Sequence, residues 1–223
     1  PPPPPHPPPA RTLFPSTTLF RSDLEDGPFV RVEVGGELIL AGGALTLAGT
    51  FLFEQKTDLG ADNAVGGTEG NADSTVTVVA FREASASLGG DLVNITGANG
   101  VFVVSAAGLA GEVSATVTLG GGLENAISFG PDGLAVSLQI NQTGAPVTRT
   151  VNFSSGDPLV LDLEAGPFVR VEVSGELILA GGALTVAGDF LFEQKTDLGA
   201  DGVVGGTDAN ADSTVTVDRK SVV

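Results

Sequence analysis

Along residues 23–217, apolar and polar side chains alternate with a period of two rather than 3.6. Val30, Val32 and Val34 alternate with Phe29, Arg31 and Glu33. Val113, Ala115, Val117 and Leu119 alternate with Ser114, Thr116 and Thr118. Leu134, Val136, Leu138 and Ile140 alternate with Ala135, Ser137 and Gln139, and the odd positions from 45 to 53 read Leu, Leu, Gly, Phe, Phe. Each stretch predicts a β-strand with one face toward a core and one toward water. Breaks rich in Gly, Asp or Asn at 35–36, 42–43, 89–90, 97–100, 120–122, 130–133 and 156–158 part the strands. Intervals of roughly 8–15 residues suit an antiparallel meander or sandwich. The expected fold is all-β and mostly antiparallel, with sandwich-like modules stacked in tandem; an elongated β-solenoid is the alternative.

The pattern is also duplicated. Residues 23–78 return at 162–217 with a constant offset of 139, and only eight of the 56 positions differ, among them Gly35/Ser174, Leu47/Val186 and Asn63/Gly202. Residues 23–161 therefore form one complete repeat unit and 162–217 a truncated second one. Within the unit, Ala48-Gly49-Thr50-Phe51-Leu52-Phe53-Glu54 has the shape of Ala110-Gly111-Glu112-Val113-Ser114-Ala115-Thr116, which places an older half-unit boundary near 90. Arrays of large near-identical modules build length, spacing or multivalent surface more often than a single active site.

The two ends break the pattern. When codons for Asp218-Arg219-Lys220-Ser221-Val222-Val223 and a following stop are reverse-complemented one base out of phase, they encode Tyr-Thr-Thr-Leu-Phe-Arg-Ser. Residues 16–22 read Ser-Thr-Thr-Leu-Phe-Arg-Ser. One DNA cassette in opposite orientations accounts for both, and it resembles translated sequencing adapter. Thr12-Leu13-Phe14-Pro15 continues the match, and the Pro-rich start, Pro1–Pro9 around His6, lies upstream of it. Residues 1–22 and 218–223 are expected to be non-native tails outside the fold, the first of them disordered.

Charge changes the picture next. The tails hold four of the ten basic residues and one of the 27 acidic ones, leaving 26 acids and six bases in 23–217. Such a surface repels nucleic-acid phosphates and anionic lipid, so neither is an expected partner; it suits solubility and divalent cations. An apolar content of 42% in strand-like runs argues against disorder. Residues 23–217 contain no Cys, His, Trp, Tyr or Met. Disulfides, thiol nucleophiles, the usual zinc sites and a Ser-His-Asp triad are thereby excluded, and no enzyme activity is expected. The uncharged stretch Leu38–Phe53 is too short and too interrupted by glycine for a membrane-spanning helix.

One constellation carries candidate chemistry. In the segment 57–74, Asp58, Asp62, Glu69, Asn71 and Asp73 recur in the second copy as Asp197, Asp201, Asp208, Asn210 and Asp212. The core, acid-x-Asn-x-Asp, places oxygen ligands at alternate positions, as a hard cation such as calcium requires. An EF-hand loop needs Gly at its sixth position and Glu at its twelfth; Ser74 and Ala80, then Ser213 and Arg219, stand there instead. The Gly-Gly-x-Gly-x-Asp repeat of calcium β-rolls matches only Gly66-Gly67. Two readings stay open: a calcium site, and a solvated hairpin loop whose Asp and Asn serve turn geometry. No other cofactor is implied.

Smaller signals carry less. Glu54 with Asp58, and Glu193 with Asp197, have the carboxylate character of a glycosidase pair but no aromatic cleft. Lys56 and Lys195 follow Glu-Gln at strand ends as surface charges. Arg149 falls by alternation on the side of Val147, Val151 and Phe153, as a paired inward charge or an edge guard. Asn94, Asn141 and Asn152 begin glycosylation sequons.

Taken together, the Gly-punctuated strands, acidic balance, absence of Cys and long near-identical repeats resemble the repeat regions of giant bacterial surface or secreted proteins, calcium-binding adhesins included. The resemblance implies export to the cell surface or extracellular space, with neighbouring repeats and a surface or matrix ligand as partners. The expected function is a structural or adhesive repeat stiffened by calcium. A multivalent module of weak ligand sites is the alternative, and an accessory part of a polysaccharide-active enzyme is a third class.

Overall fold

The computed structural model describes residues 28–40, 45–58, 73–123, 126–199 and 212–222. It is all-β. Eleven strands follow in chain order: β1 (Phe29–Leu40), β2 (Leu45–Asp58), β3 (Ser74–Leu88), β4 (Val93–Ser105), β5 (Gly108–Leu119), β6 (Ile127–Asn141), β7 (Val147–Val151), β8 (Leu159–Leu163), β9 (Phe168–Leu179), β10 (Leu184–Asp197) and β11 (Ser213–Val222). Nine of them form one open antiparallel sheet in the order β1-β2-β3-β4-β5-β6-β9-β10-β11, and β7 with β8 forms a separate antiparallel ribbon. The expectation of an all-β, antiparallel chain holds. The duplication is visible in the strands: β9, β10 and β11 begin where β1, β2 and β3 do, displaced by 139 residues. β11 runs on past the repeat, and Asp218–Val222, expected to lie outside the fold, pair with Gly188–Phe192 of β10.

The ribbon lies over one face of the sheet, and the buried core forms between them. Leu52, Val78, Ala80, Val101, Ala110 and Phe168 from the sheet meet Val151, Leu161 and Leu163 of the ribbon and Phe153 just after β7. Among the described residues, only here are there two layers.

Alternation identified the strands but not the covered face. Register pairs Leu52 with Glu33 and Ala80, and Glu54 with Arg31 and Val78. Arg31 and Glu33 therefore share the ribbon's side of the sheet, whereas Val30, Val32 and Val34 point away and stay 56%, 48% and 58% exposed. The valines were expected to face the core and the charged residues water; the order is reversed. The physical reason is pairing: on the ribbon's side Arg31 reaches Glu54 and the Asn152 carbonyl, and half-buried Glu33 accepts from Ser154, bonds that the valines could not make.

Aromatic rings on the far face explain two glycines inside strands, Gly100 in β4 and Gly111 in β5. Phe51, Phe81 and Phe102 follow one another at centroid spacings of 6.4 Å. A Cβ at Gly111 would sit 2.2 Å from the Phe102 ring, and one at Gly100 would sit 2.5 Å from Phe81. Each ring lies where only glycine leaves room.

Candidate functional site

The charged cluster beneath the ribbon is assembled from three strands. Arg31 on β1 and Glu54 on β2 are register partners, and Arg31 Nη1 donates to Glu54 Oε2 at 3.0 Å. Arg149 on β7 reaches down to the other oxygen, Nη2 to Oε1, at 2.7 Å. One carboxylate thus holds two guanidiniums, and one of these anchors the ribbon. Arg31 also donates to the Asn152 carbonyl. Ser154 donates from its backbone N and its Oγ to Glu33 at 2.9 and 2.6 Å. Arg82 stacks over Phe153 at 5.5 Å and donates to the Ser155 carbonyl. Of the two roles open for Arg149, the structure shows the paired inward charge. Glu54, with both oxygens engaged by arginines, is a structural anchor in this arrangement.

A second device pins the ribbon's ends. Asn141, the last residue of β6, is fully buried. Its Nδ2 donates to the carbonyls of Ala145 (2.9 Å) and Glu164 (2.8 Å), and its Oδ1 accepts from the N (2.9 Å) and Oγ1 (2.7 Å) of Thr143. The chain leaves the sheet and returns to it through this one side chain. In the sequence Asn141 stands out only as the start of a sequon; in the fold its amide nitrogen is buried and donates to two carbonyls. Asn152 of the other sequons is exposed. The signal that could have found Asn141 is its place between an apolar strand and a Gly-Ala-Pro turn, where an Asx-type bond is favoured.

The second copy repeats half of the cluster. Arg170 Nε donates to Glu193 Oε2 at 2.7 Å, where Arg31 uses Nη1 toward Glu54. Arg170 also donates to Gln139 Oε1 on β6 at 3.0 Å and to Glu164, and it lies 5.2 Å over the Phe168 ring. Lys195 Nζ stands 3.6 Å from Glu164. The hydrogen bond from Arg170 holds the Glu164 carboxyl below the usual range; partial burial opposes this and Lys195 adds to it. Burial would lower the Arg170 pKa, but the bonds to Glu193 and Glu164 outweigh it and raise it. Gln139 belongs to the first copy and Arg170 to the second, so this group straddles the repeat boundary.

That boundary is itself paired. β6 and β9 run antiparallel from Ile127↔Leu179 to Asn141↔Phe168, with Val136, Leu138 and Ile140 opposite Val173, Val171 and Val169.

The candidate calcium ligands are only partly placed. Asp58 pairs across the sheet beside Ser74, which brings Asp58 and Asp73 to the mouth of one hairpin, and Asp197 and Asp212 stand likewise beside Ser213. Asp197 Oδ1 accepts from Gly199 N at 3.1 Å, a turn-forming bond. Asp62, Glu69, Asn71, Asp201, Asp208 and Asn210 lie outside the described residues. Among the described residues no group of three acidic or metal-ligating side chains converges, and no helix is long and apolar enough to cross a membrane.

No protein-family model, curated protein or solved structure matches the chain.

Proposed function

We propose that this chain is a sheet-extending structural repeat of a large exported bacterial protein, serving as a stalk or adhesive spacer at the cell surface or outside the cell. The observation that carries the proposal is the pairing of β6 with β9: successive copies add strands to one continuous sheet. Each unit contributes six strands to that sheet, or roughly 29 Å at about 4.8 Å per strand. Small-angle scattering of tandems of one, two and three units tests it. The maximum dimension should grow by about that amount per unit, somewhat less as the sheet twists. A dimension that stops growing after the first unit would sink the proposal.

Calcium bound by the acidic loops at 58–73 and 197–212 is the finer part of this proposal. A melting temperature that rises with calcium, saturates and no longer responds in Asp62→Ala/Asp73→Ala supports it. A flat response removes calcium and leaves the spacer.

One observation favours the multivalent alternative. Phe53 and Phe192, the same position in both copies, are 41% and 46% exposed on the face away from the ribbon. An aromatic recurring once per unit is what an array of weak sites requires.

A further inference from the structure

Among the described residues the same strand occurs twice, once with a neighbour on each side and once with a neighbour on one side. β9 is flanked by β6 and β10, whereas β1 is the edge of the sheet and has β2 alone among the described residues. Between 29–40 and 168–179 only Gly35/Ser174 differs. Val169, Val171 and Val173 are partly covered by their β6 neighbours; Val30, Val32 and Val34 are exposed. An edge strand of this length with exposed valines is a template for strand addition.

We propose that the β1 edge is a docking site for a strand of the β6 type, residues 127–141 of another copy of the unit. The site would join separate molecules as well as repeats of one chain. The register follows from β6–β9 by subtracting 139. Val136 lies opposite Val34, Ser137 opposite Glu33, Leu138 opposite Val32, Gln139 opposite Arg31 and Ile140 opposite Val30. Three features fit this occupant. The apolar positions meet apolar positions on the exposed face. Residues 134–141 carry no charge, so Arg31 and Glu33 face no like charge. Arg31 stands opposite Gln139 in this register as Arg170 does in the second copy, although its Nη1 and Nη2 are engaged by Glu54 and the Asn152 carbonyl where Arg170 gives Nη1 to Gln139.

The proposal rests on the repeats sharing one sheet, and one set of measurements separates the two. The chain contains no cysteine, so Val34→Cys in the full chain is a unique probe. It is mixed, under thiol–disulfide exchange, with synthetic peptides of residues 127–141 bearing Val136→Cys, or Leu134→Cys or Leu138→Cys as registers shifted by two. The in-register peptide should form its adduct about tenfold faster than either shifted one. Val32→Cys with the Leu138→Cys peptide should repeat the preference if Val34→Cys proves poorly folded. Equal rates in all registers, or an equally fast adduct with Val215→Cys on β11, would overturn the proposal. Hydrogen exchange of the chain without peptide reports on the shared sheet. Slow β9 amides with no register preference overturn only the docking site, whereas β9 amides as fast as those of β1 overturn both.

Discussion

Strands β1–β3 and β9–β11 are nearly the same sequence in two different surroundings. Among the described residues, the first set has the ribbon above it and its open edge at β1; the second has no ribbon above it, β6 beside β9 and its open edge at β11. Leu52 and Val78 are 1% exposed beneath the ribbon, while their counterparts Leu191 and Val217 are only partly buried. The Arg31–Glu54 pair forms again as Arg170–Glu193. Ion pairing between β1 and β2 is thus local to the hairpin, whereas burial of the apolar core is supplied from 147–163.

Four measurements break or sharpen this comparison. The largest effect is expected for Leu52→Ala, which should cost about 3 kcal/mol because it empties a closed core site, against about 1 for Leu191→Ala. Equal losses by denaturant titration would mean that the ribbon does not cover the first copy in solution. Asn141→Ala should cost about 2–3 kcal/mol by stranding buried partners of the lost amide. It should also speed amide exchange of β2 and β3 toward that of β10 and β11; unchanged exchange would show that the ribbon stays down without its clamp. Glu54→Gln should cost about 2 kcal/mol, since Arg149 and Arg31 lose their shared charge, and Glu193→Gln about 1 or less, since one guanidinium, Arg170, engages it rather than two. The smallest effect belongs to Glu164. Its carboxyl is lowered in the folded state, so its contribution is complete above the unfolded value of about 4.3 and fades as pH falls through the folded one. At half exposure it amounts to about a few tenths of a kcal/mol. Glu164→Gln should flatten the acid limb below pH ~4 by that much, while stability at pH 7 drops slightly; a larger change near pH 7 would point to a different group.

Strand identity was legible because alternation and glycine breaks are local properties. Val30, Val32 and Val34, and Leu134 through Ile140, were placed on strands correctly. Which side would be covered was not, because the cover is a ribbon about a hundred residues away in sequence from β1 and β2, and nothing in Arg31 or Glu33 announces their partners at Arg149, Asn152 and Ser154. Arg149 itself was legible as an inward charge, since Val147, Val151 and Phe153 flank it at the same parity. Asn141 was not, because a buried amide clamp is defined by two carbonyls that only the fold brings together. The acidic loop showed itself by composition, but of its candidate ligands the structure describes only Asp58, Asp73, Asp197 and Asp212.

The number of sheet strands in a unit is even, and this has a consequence for symmetry. In an antiparallel meander, direction inverts at each step, so six steps restore it: β9 points as β1 does and turns the same face toward the ribbon's side. Successive copies are therefore related by translation with a twist rather than by a two-fold axis. An assembly built this way is polar, with distinguishable ends, and does not close on itself after two members. The excursion from Asn141 to Phe168 leaves and rejoins the sheet at facing residues, so it adds nothing to the step. Evolution can lengthen, shorten or replace the segment 142–167 in any one copy without disturbing the period of the rest.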